Sequence, residues 1–141
     1  MYNQNKIERL AEMVYGDERK TTVLAKGTYR EYDVLVLSYG THPCCYIKLE
    51  EGNKYYGKDY NDIPVDCHYG LTFGEKTKSD DANGAFGNAF WIGWDYAHLG
   101  YQTGGFIDGR KYTTDELIDD LKFAVDSLCE KIKPSLDLFD K

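Results

Sequence analysis

The sequence has no long hydrophobic run. No stretch of about 18 apolar residues occurs, so no transmembrane helix is predicted. The N-terminal stretch MYNQNKIERLAEMVYG also lacks the apolar core that signal peptides carry. We therefore expect a cytoplasmic protein that does not bind membranes. From its 141 residues we expect a single domain, 1–141, and a chain of this size can bury a core without metal or disulfide support.

Basic residues are few, and they are not clustered into a run. Lys and Arg total 17 against 24 Asp and Glu, which gives a formal net charge of -7. An acidic chain is repelled by the phosphate backbone of DNA and RNA. General binding to nucleic acid is therefore not expected.

The chain also lacks a cysteine motif. None of its four cysteines belongs to a C-x-x-C pair or has the spacing of a zinc finger. In a reducing cytoplasm we expect free thiols that behave as small apolar residues, and we predict neither a metal nor another cofactor. The cysteines are Cys44, Cys45, Cys67 and Cys129.

Two helices are predicted, one near each end of the chain. In the first, apolar residues recur at i, i+3, i+4 and i+7 before a glycine in the C-cap position, which predicts a short amphipathic helix over about 4–15. The second begins at a capping box formed by Thr113 and Glu116, carries one apolar face and ends before Pro134. The apolar positions of the first helix are Ile7, Leu10, Ala11 and Val14.

Strands are predicted between the two helices. The stretch 27–40 has strong β character, and its VLVLSY segment is typical of a strand buried on both faces. CCYIKLE, 44–50, alternates like a hairpin partner, and AFWIGWDYA, 89–97, is a further strand in which Gly93 permits a close approach or a bulge. The glycine-rich stretch 74–88 is predicted to be a long mobile loop. We predict an α+β fold: an antiparallel or mixed sheet of four to five strands, with an N-terminal helix and a long C-terminal helix packed on it.

Aromatic residues are abundant, with 13 Tyr, 6 Phe and 2 Trp. Their rings offer flat faces on which a planar ligand can stack, and the candidates are Trp91, Trp94, Tyr56 and Tyr96. Lys58 and Arg110 lie in glycine-bearing segments, where they are suited to pair with phosphate. This combination predicts a site for a flat anionic small molecule.

Three other interpretations remain open. His68, Asp95 and His98 make up a set of two His and one carboxylate of the kind that binds Zn or Fe. With a cysteine as nucleophile, Asp95 and His98 also suit a thiol hydrolase. Alternatively, the aromatic residues belong to the core. Trp91 and Trp94 face opposite sides of a regular strand, so they line one pocket only if a bulge intervenes.

Three blocks of the sequence, between residues 41 and 100, are THPCCYIKL, KYYGKDYNDIPVDCHYGLTFG and FWIGWDYAHLG. They resemble the pattern H-P-x-x-Y, Y-G-K-x-Y-x-D-I-x-V-x-x-H-x-G-L-T and W-x-G-W-D-x-A-H-x-G of a family of small, largely uncharacterised proteins from phages and prophages of Gram-positive bacteria. The family usually has an acidic residue after the last glycine, where this chain has Tyr101. The resemblance implies a phage or prophage origin and, by analogy with other small accessory phage proteins, a role in evading bacterial immunity.

The leading functional hypothesis is an immune-evasion protein that binds and sequesters a nucleotide second messenger, acting as a sponge. The narrow apolar stripe of the first helix and the tyrosine-rich surface predict a homo-oligomer. A small metal-dependent or thiol hydrolase is one alternative. A protein inhibitor of a bacterial defence nuclease, of the anti-CRISPR type, is another, and a binding protein is favoured over an enzyme. The predicted ligand-binding residues are Tyr56, Lys58, His68, Trp91, Trp94, Asp95, His98 and Arg110.

Overall fold

The core of the fold is an antiparallel sheet with one long helix packed on it, in a computed structural model that describes residues 6–16, 21–97 and 111–132. Its elements are β1 (Lys6–Arg9), β2 (Thr22–Tyr29), β3 (Tyr32–Ser38), β4 (Pro43–Leu49), β5 (Phe73–Lys76), β6 (Phe90–Asp95) and α1 (Thr114–Ile132). The strands form one sheet in the order β1-β2-β3-β4-β6-β5, and all neighbours are antiparallel. The α+β class is confirmed, but the sheet has six strands where four to five were predicted.

The middle of the sheet is a meander of β2, β3 and β4. β3 is buried on both faces over 34–38, as its VLVLSY pattern predicts, and β4 is its antiparallel hairpin partner. β2 was not distinguished from β3 in the sequence, because the two strands are joined at Arg30 and Glu31. These two residues have φ of 50° and 71°, as a two-residue hairpin turn requires, but neither is the Gly or Asn that marks such turns.

The predicted N-terminal helix over 4–15 is wrong. Lys6–Arg9 form strand β1, which pairs with β2, and 10–16 contain neither helix nor strand. Within the predicted apolar stripe, Leu10 is 45% and Val14 is 65% exposed, whereas Met13, outside that stripe, is buried. Ile7 and Ala11 do pack against the core, so the four positions are divided between core and solvent and do not form one buried helical face. The backbone of β1 makes its hydrogen bonds to the edge of β2 instead.

Residues 10–16 hold the beginning of α1 in place. The Glu12 carboxylate accepts a hydrogen bond of 2.9 Å from the backbone N–H of Thr114, and this bond lowers the pKa of Glu12. The backbone N–H of Met13 donates to Oγ1 of Thr114 at 2.9 Å, and the Tyr15 hydroxyl accepts from the N–H of Tyr112 at 2.7 Å. A segment close to the first strand thus caps the N-terminus of the last helix.

Helix α1 covers one face of the sheet. Its predicted capping box is confirmed: the N–H of Thr113 donates to Oε1 of Glu116 at 2.9 Å, and the N–H of Glu116 donates to Oγ1 of Thr113 at 3.2 Å. Among the described residues, no helix combines the length and the apolar character needed to cross a bilayer. The fully buried residues of the apolar stripe of α1 are Leu117, Leu121, Ala124, Val125 and Leu128.

The segment 77–89 covers the opposite face of the sheet. The stretch 74–88, predicted as a loop, begins within strand β5 and contains a 3₁₀ turn at Asp81–Gly84. Phe86 and Ala89 pack into the core on this side. The hydroxyl of Thr77 donates to the carbonyl of Gly87 at 2.6 Å, which anchors the segment across its ends.

Gly27 lies where β1 passes close to β2. A Cβ atom on Gly27 would clash with the carbonyl oxygen of Lys6 and would lie 2.7 Å from Cα of Ile7. We expect Gly27→Ala to lower the free energy of unfolding by about 1–3 kcal/mol, because β1 must move away from β2 to make room. Urea unfolding of the purified variant measures this change.

Gly52→Ala is the matched control, since no atom lies within 4 Å of a Cβ built there. It should change the free energy of unfolding by less than about 0.5 kcal/mol. An equal loss in both variants, or no loss in Gly27→Ala, would contradict the close approach of the two strands.

Candidate binding site

A cleft of about 760 Å³ lies between α1 and the segment 65–70, and we call it the helix cleft. Its volume is in the range of small-ligand sites. Residues from two segments distant in sequence meet there, so the cleft exists only in the folded chain. Its lining residues are Val65, Asp66, Cys67, His68, Gly70, Tyr112, Glu116, Asp119, Asp120 and Phe123.

The segment 65–70 forms one wall because its backbone is bound to the helix and then turns sharply. The N–H of Asp66 donates to Oγ of Ser127 at 2.9 Å. Tyr69 and Gly70 have φ of 57° and 85°, and the N–H of Gly70 closes the turn on the carbonyl three residues earlier at 3.0 Å. The turn places His68 against the ring of Tyr96, on the helix side of the sheet.

Aromatic rings form the floor of the helix cleft. His68 stacks on Tyr96 with ring centroids 4.4 Å apart, and it meets Tyr112 edge-on at 5.5 Å. Tyr112 is held by Tyr15, whose hydroxyl accepts from its N–H at 2.7 Å and donates to its carbonyl at 3.1 Å. These contacts position the His68 ring between its neighbours and hold the backbone of Tyr112 in place.

The second wall is one face of α1. Glu116, Asp119, Asp120 and Phe123 are spaced i, i+3, i+4 and i+7, which places them along one side of a helix. This stripe lies beside the buried stripe that packs on the sheet. Phe123 is 62% exposed, an unusual position for a large apolar ring.

A buried hydrogen-bond chain fixes Asp120. Nε1–H of Trp94 donates to the Tyr96 hydroxyl at 3.0 Å, and that hydroxyl donates to Oδ2 of Asp120 at 2.8 Å. Burial raises the pKa of Tyr96 far above its ordinary value, so the hydroxyl keeps the proton that it donates. These two hydrogen bonds connect the core of the sheet with the surface of the helix cleft.

The helix cleft is acidic. Four of its lining residues are Asp or Glu, and none is Lys or Arg. Carboxylates beside aromatic rings attract ammonium and guanidinium groups through charge-assisted hydrogen bonds and cation–π contacts. Phosphate would be repelled in the same place. The geometry therefore suits a cationic group such as the end of an Arg or Lys side chain.

The predicted ligand-binding residues that the structure describes do not meet in one site. Of those that the structure describes, His68 alone lines the helix cleft. Trp94 lies beneath the cleft and is linked to it through Tyr96, whereas Trp91 lies on the opposite face of the sheet. No bulge intervenes on β6, because its pairing with β4 is continuous from Leu49↔Phe90 to Cys44↔Asp95.

The remaining predicted residues are scattered or lie outside the described residues. Tyr56 is half-buried at the margin of the helix-side core, and Lys58 is exposed. Asp95 lies on the face opposite α1, where it accepts a hydrogen bond of 3.1 Å from a threonine hydroxyl. His98 and Arg110 lie outside the described residues.

Of the groups invoked for a hydrolase, those that the structure describes are separated or protonated, and His98 lies outside the described residues. His68 stacks on the helix side of the sheet and Asp95 lies on the other, and the described residues contain no group of three or more His, Cys, Asp or Glu able to hold a metal ion. Burial raises the pKa of Cys44 and of Cys67 to about 12 and that of Cys45 well above its ordinary value. Thiolates, the nucleophilic form, are therefore scarce at neutral pH.

The acidic face of α1 was missed in the sequence. Glu116 was interpreted as part of the capping box, and it was not connected with the residues that follow it. The signal that identifies the face is helical spacing: Asp119, Asp120 and Phe123 fall on the same side as Glu116. A helix face that only contacts solvent would not need an exposed aromatic residue such as Phe123 among its carboxylates.

Comparison with protein-family models, with curated proteins and with solved structures finds no match. The resemblance to phage and prophage proteins therefore stays a prediction. Any function has to be argued from the geometry and chemistry of the chain itself.

We expect the Cys67 thiol, which lines the helix cleft, to react slowly in the native protein. With a pKa of about 12 in place of the ordinary 9.0, its thiolate fraction at pH 8 falls roughly 1,000-fold. Iodoacetamide labelling at pH 8, followed residue by residue by mass spectrometry, measures the rate with and without urea. Rapid labelling of Cys67 without urea would contradict the raised pKa of this half-buried thiol.

The same shift links stability to pH. A thiol whose pKa is raised by folding contributes stability below its ordinary pKa of 9.0 and loses that contribution as the pH rises toward about 12. The melting temperature should therefore fall between these two pH values. Cys67→Ser should weaken this dependence.

Proposed function

We propose that the protein acts by binding rather than by catalysis, and that its helix cleft receives an Arg or Lys side chain from a basic surface of a partner protein. The observation that carries this proposal is the lining of the cleft: four carboxylates beside the rings of His68 and Tyr112, with no Lys or Arg. Arg suits this lining better than Lys. Its planar guanidinium can pair with a carboxylate while it stacks on an aromatic ring.

The rim of the helix cleft supports docking of a protein. Phe123 is exposed at the cleft, and Tyr69, next to the His68 ring with centroids 4.6 Å apart, is exposed as well. Aromatic residues are enriched among the residues that contribute most to binding at protein interfaces. A partner would place its basic side chain in the cleft and its neighbouring apolar atoms against these two rings.

The resemblance to phage proteins supports a partner in bacterial immunity. Defence nucleases hold nucleic acid on surfaces rich in Lys and Arg, which complement both the helix cleft and the net charge of -7. We therefore place the inhibitor of a defence protein ahead of the nucleotide sponge at this cleft, since phosphates would be repelled there. The activity would take place in the cytoplasm of the bacterial host, and the homo-oligomer stays a prediction.

Charge reversal in the cleft tests the proposal. We expect Asp119→Lys to weaken binding of a fluorescein-labelled oligo-arginine peptide by about tenfold, a loss of about 1.4 kcal/mol, because the peptide meets a cation where it needs a carboxylate. Phe123→Ala, which keeps the charge, should weaken binding severalfold. Fluorescence anisotropy at physiological ionic strength measures the affinities.

Asp80→Lys is the matched control, because it makes the same change of charge at an exposed position in the segment that covers the opposite face. It should change affinity by about twofold at most, since salt screens distant charges. If Asp119→Lys and Asp80→Lys weaken binding equally, the peptide is attracted by the overall negative charge of the protein. That result would refute the cleft as the binding site.

A further inference from the structure

A second concave surface lies on the face of the sheet opposite α1. It has a volume of about 530 Å³ and is bounded by the end of the segment 77–89. We call it the sheet groove, and among its lining residues are Lys6, Lys26, Lys48, Phe86 and Trp91. It shares no lining residue with the helix cleft.

The three lysines come from three strands and lie along one groove. Lys26 of β2 lies opposite Leu35, and Lys48 of β4 lies opposite Trp91. Leu35 and Trp91 pack in the core on this side of the sheet, and residues opposite each other in a pair of strands share a face. Lys6 of β1 lines the same groove.

Lys48 is already compensated by two carboxylates. Its Nζ atom lies 3.7 Å from Oδ2 of Asp33 and 3.6 Å from Oε2 of Glu50. It is also the least exposed partner in these pairs. A ligand would therefore gain less from Lys48 than from a lysine without such partners.

Lys6 and Lys26 are the lysines available to an anion. Both are exposed, and neither forms a salt bridge within the part of the chain that the structure describes. The groove holds two carboxylates, Glu8 and Asp33, against its three lysines. Glu8 lies directly opposite Lys26, and Glu50 pairs with Lys48, so three carboxylates balance the three lysines. In a chain with a net charge of -7, the groove is therefore a locally neutral surface.

The aromatic side of the groove is rigid. Nε1–H of Trp91 donates to the carbonyl of Phe86 at 3.0 Å, and the two ring centroids are 5.6 Å apart. Trp91 is only 5% exposed, so it offers a ligand the edge of its ring and not an open face. Beside the lysines, these rings supply a fixed apolar wall.

We infer that the sheet groove binds a phosphate-bearing small molecule, with its phosphate at Lys6 and Lys26 and its organic part against Phe86 and Trp91. Lysine ammonium groups pair with phosphate oxygens, and apolar walls orient the rest of a small ligand. A nucleotide signal, predicted from the sequence, belongs to this class. Lys58, which the sequence analysis predicted as a phosphate partner, lies outside this groove and would not contact the phosphate. This site is independent of the docking of a basic partner at the helix cleft.

Calorimetric titration of the full-length chain tests the inference. The probes are cyclic dinucleotides, cyclic trinucleotides, cyclic ADP-ribose isomers and, as a ligand without phosphate, adenosine. We expect saturable binding of at least one phosphate-bearing probe and none of adenosine. The double variant Lys6→Gln/Lys26→Gln should bind that probe at least about tenfold more weakly, because both phosphate partners are lost.

Two controls separate this site from its rivals. Lys58→Gln removes an exposed lysine outside the groove and should change affinity by about twofold at most, and Asp119→Lys in the helix cleft should leave nucleotide binding unchanged. Melting curves of all variants without ligand confirm that they fold. The inference is overturned if no phosphate-bearing probe saturates, if adenosine binds equally well, or if the folded double variant keeps wild-type affinity.

Discussion

Both candidate surfaces depend on the alternation of side chains along β6. Because successive residues of a strand point to opposite faces, Trp94 and Tyr96 lie toward α1, whereas Trp91 lies under the segment 77–89. Pairing with β4 sets this register by placing Trp94 opposite Cys45 and Trp91 opposite Lys48. A slip of one residue would exchange the two faces. It would remove the support of the helix cleft and the wall of the sheet groove together.

The same strand explains why a polar site can be built on an apolar core. The indole N–H of Trp94 and the hydroxyl of Tyr96 are buried, and a buried polar group without a partner costs about 1–3 kcal/mol. The indole N–H donates to the Tyr96 hydroxyl, and that hydroxyl donates to the carboxylate of Asp120 at the surface of the cleft. Asp120 is therefore the final acceptor for these buried donors. The carboxylate serves both the packing of the core and the charge of the site.

The elements that could be predicted from the sequence are those formed by interactions between residues close together in the chain. The β3–β4 hairpin and the beginning of α1 follow from strand periodicity and from the capping box at Thr113, each contained within a few residues. The N-terminal segment did not, because Glu12 and Met13 bond to Thr114, about a hundred positions away. The helix cleft needs the bond from Asp66 to Ser127, 61 positions apart. The sheet groove likewise follows only once β1 is known to be a strand.

The hydrogen bonds between residues 12–15 and residues 112–114 also affect how the chain folds. Met13 and Thr114 are 101 positions apart, and Tyr15 and Tyr112 are 97 apart. Contacts between such distant positions close large loops, which makes folding slow compared with a chain of local contacts. During synthesis the sheet can pair strand by strand as it leaves the ribosome, but the floor and one wall of the helix cleft arrive with the final helix. All residues that line the sheet groove precede α1 in the chain, whereas the helix cleft cannot exist without α1.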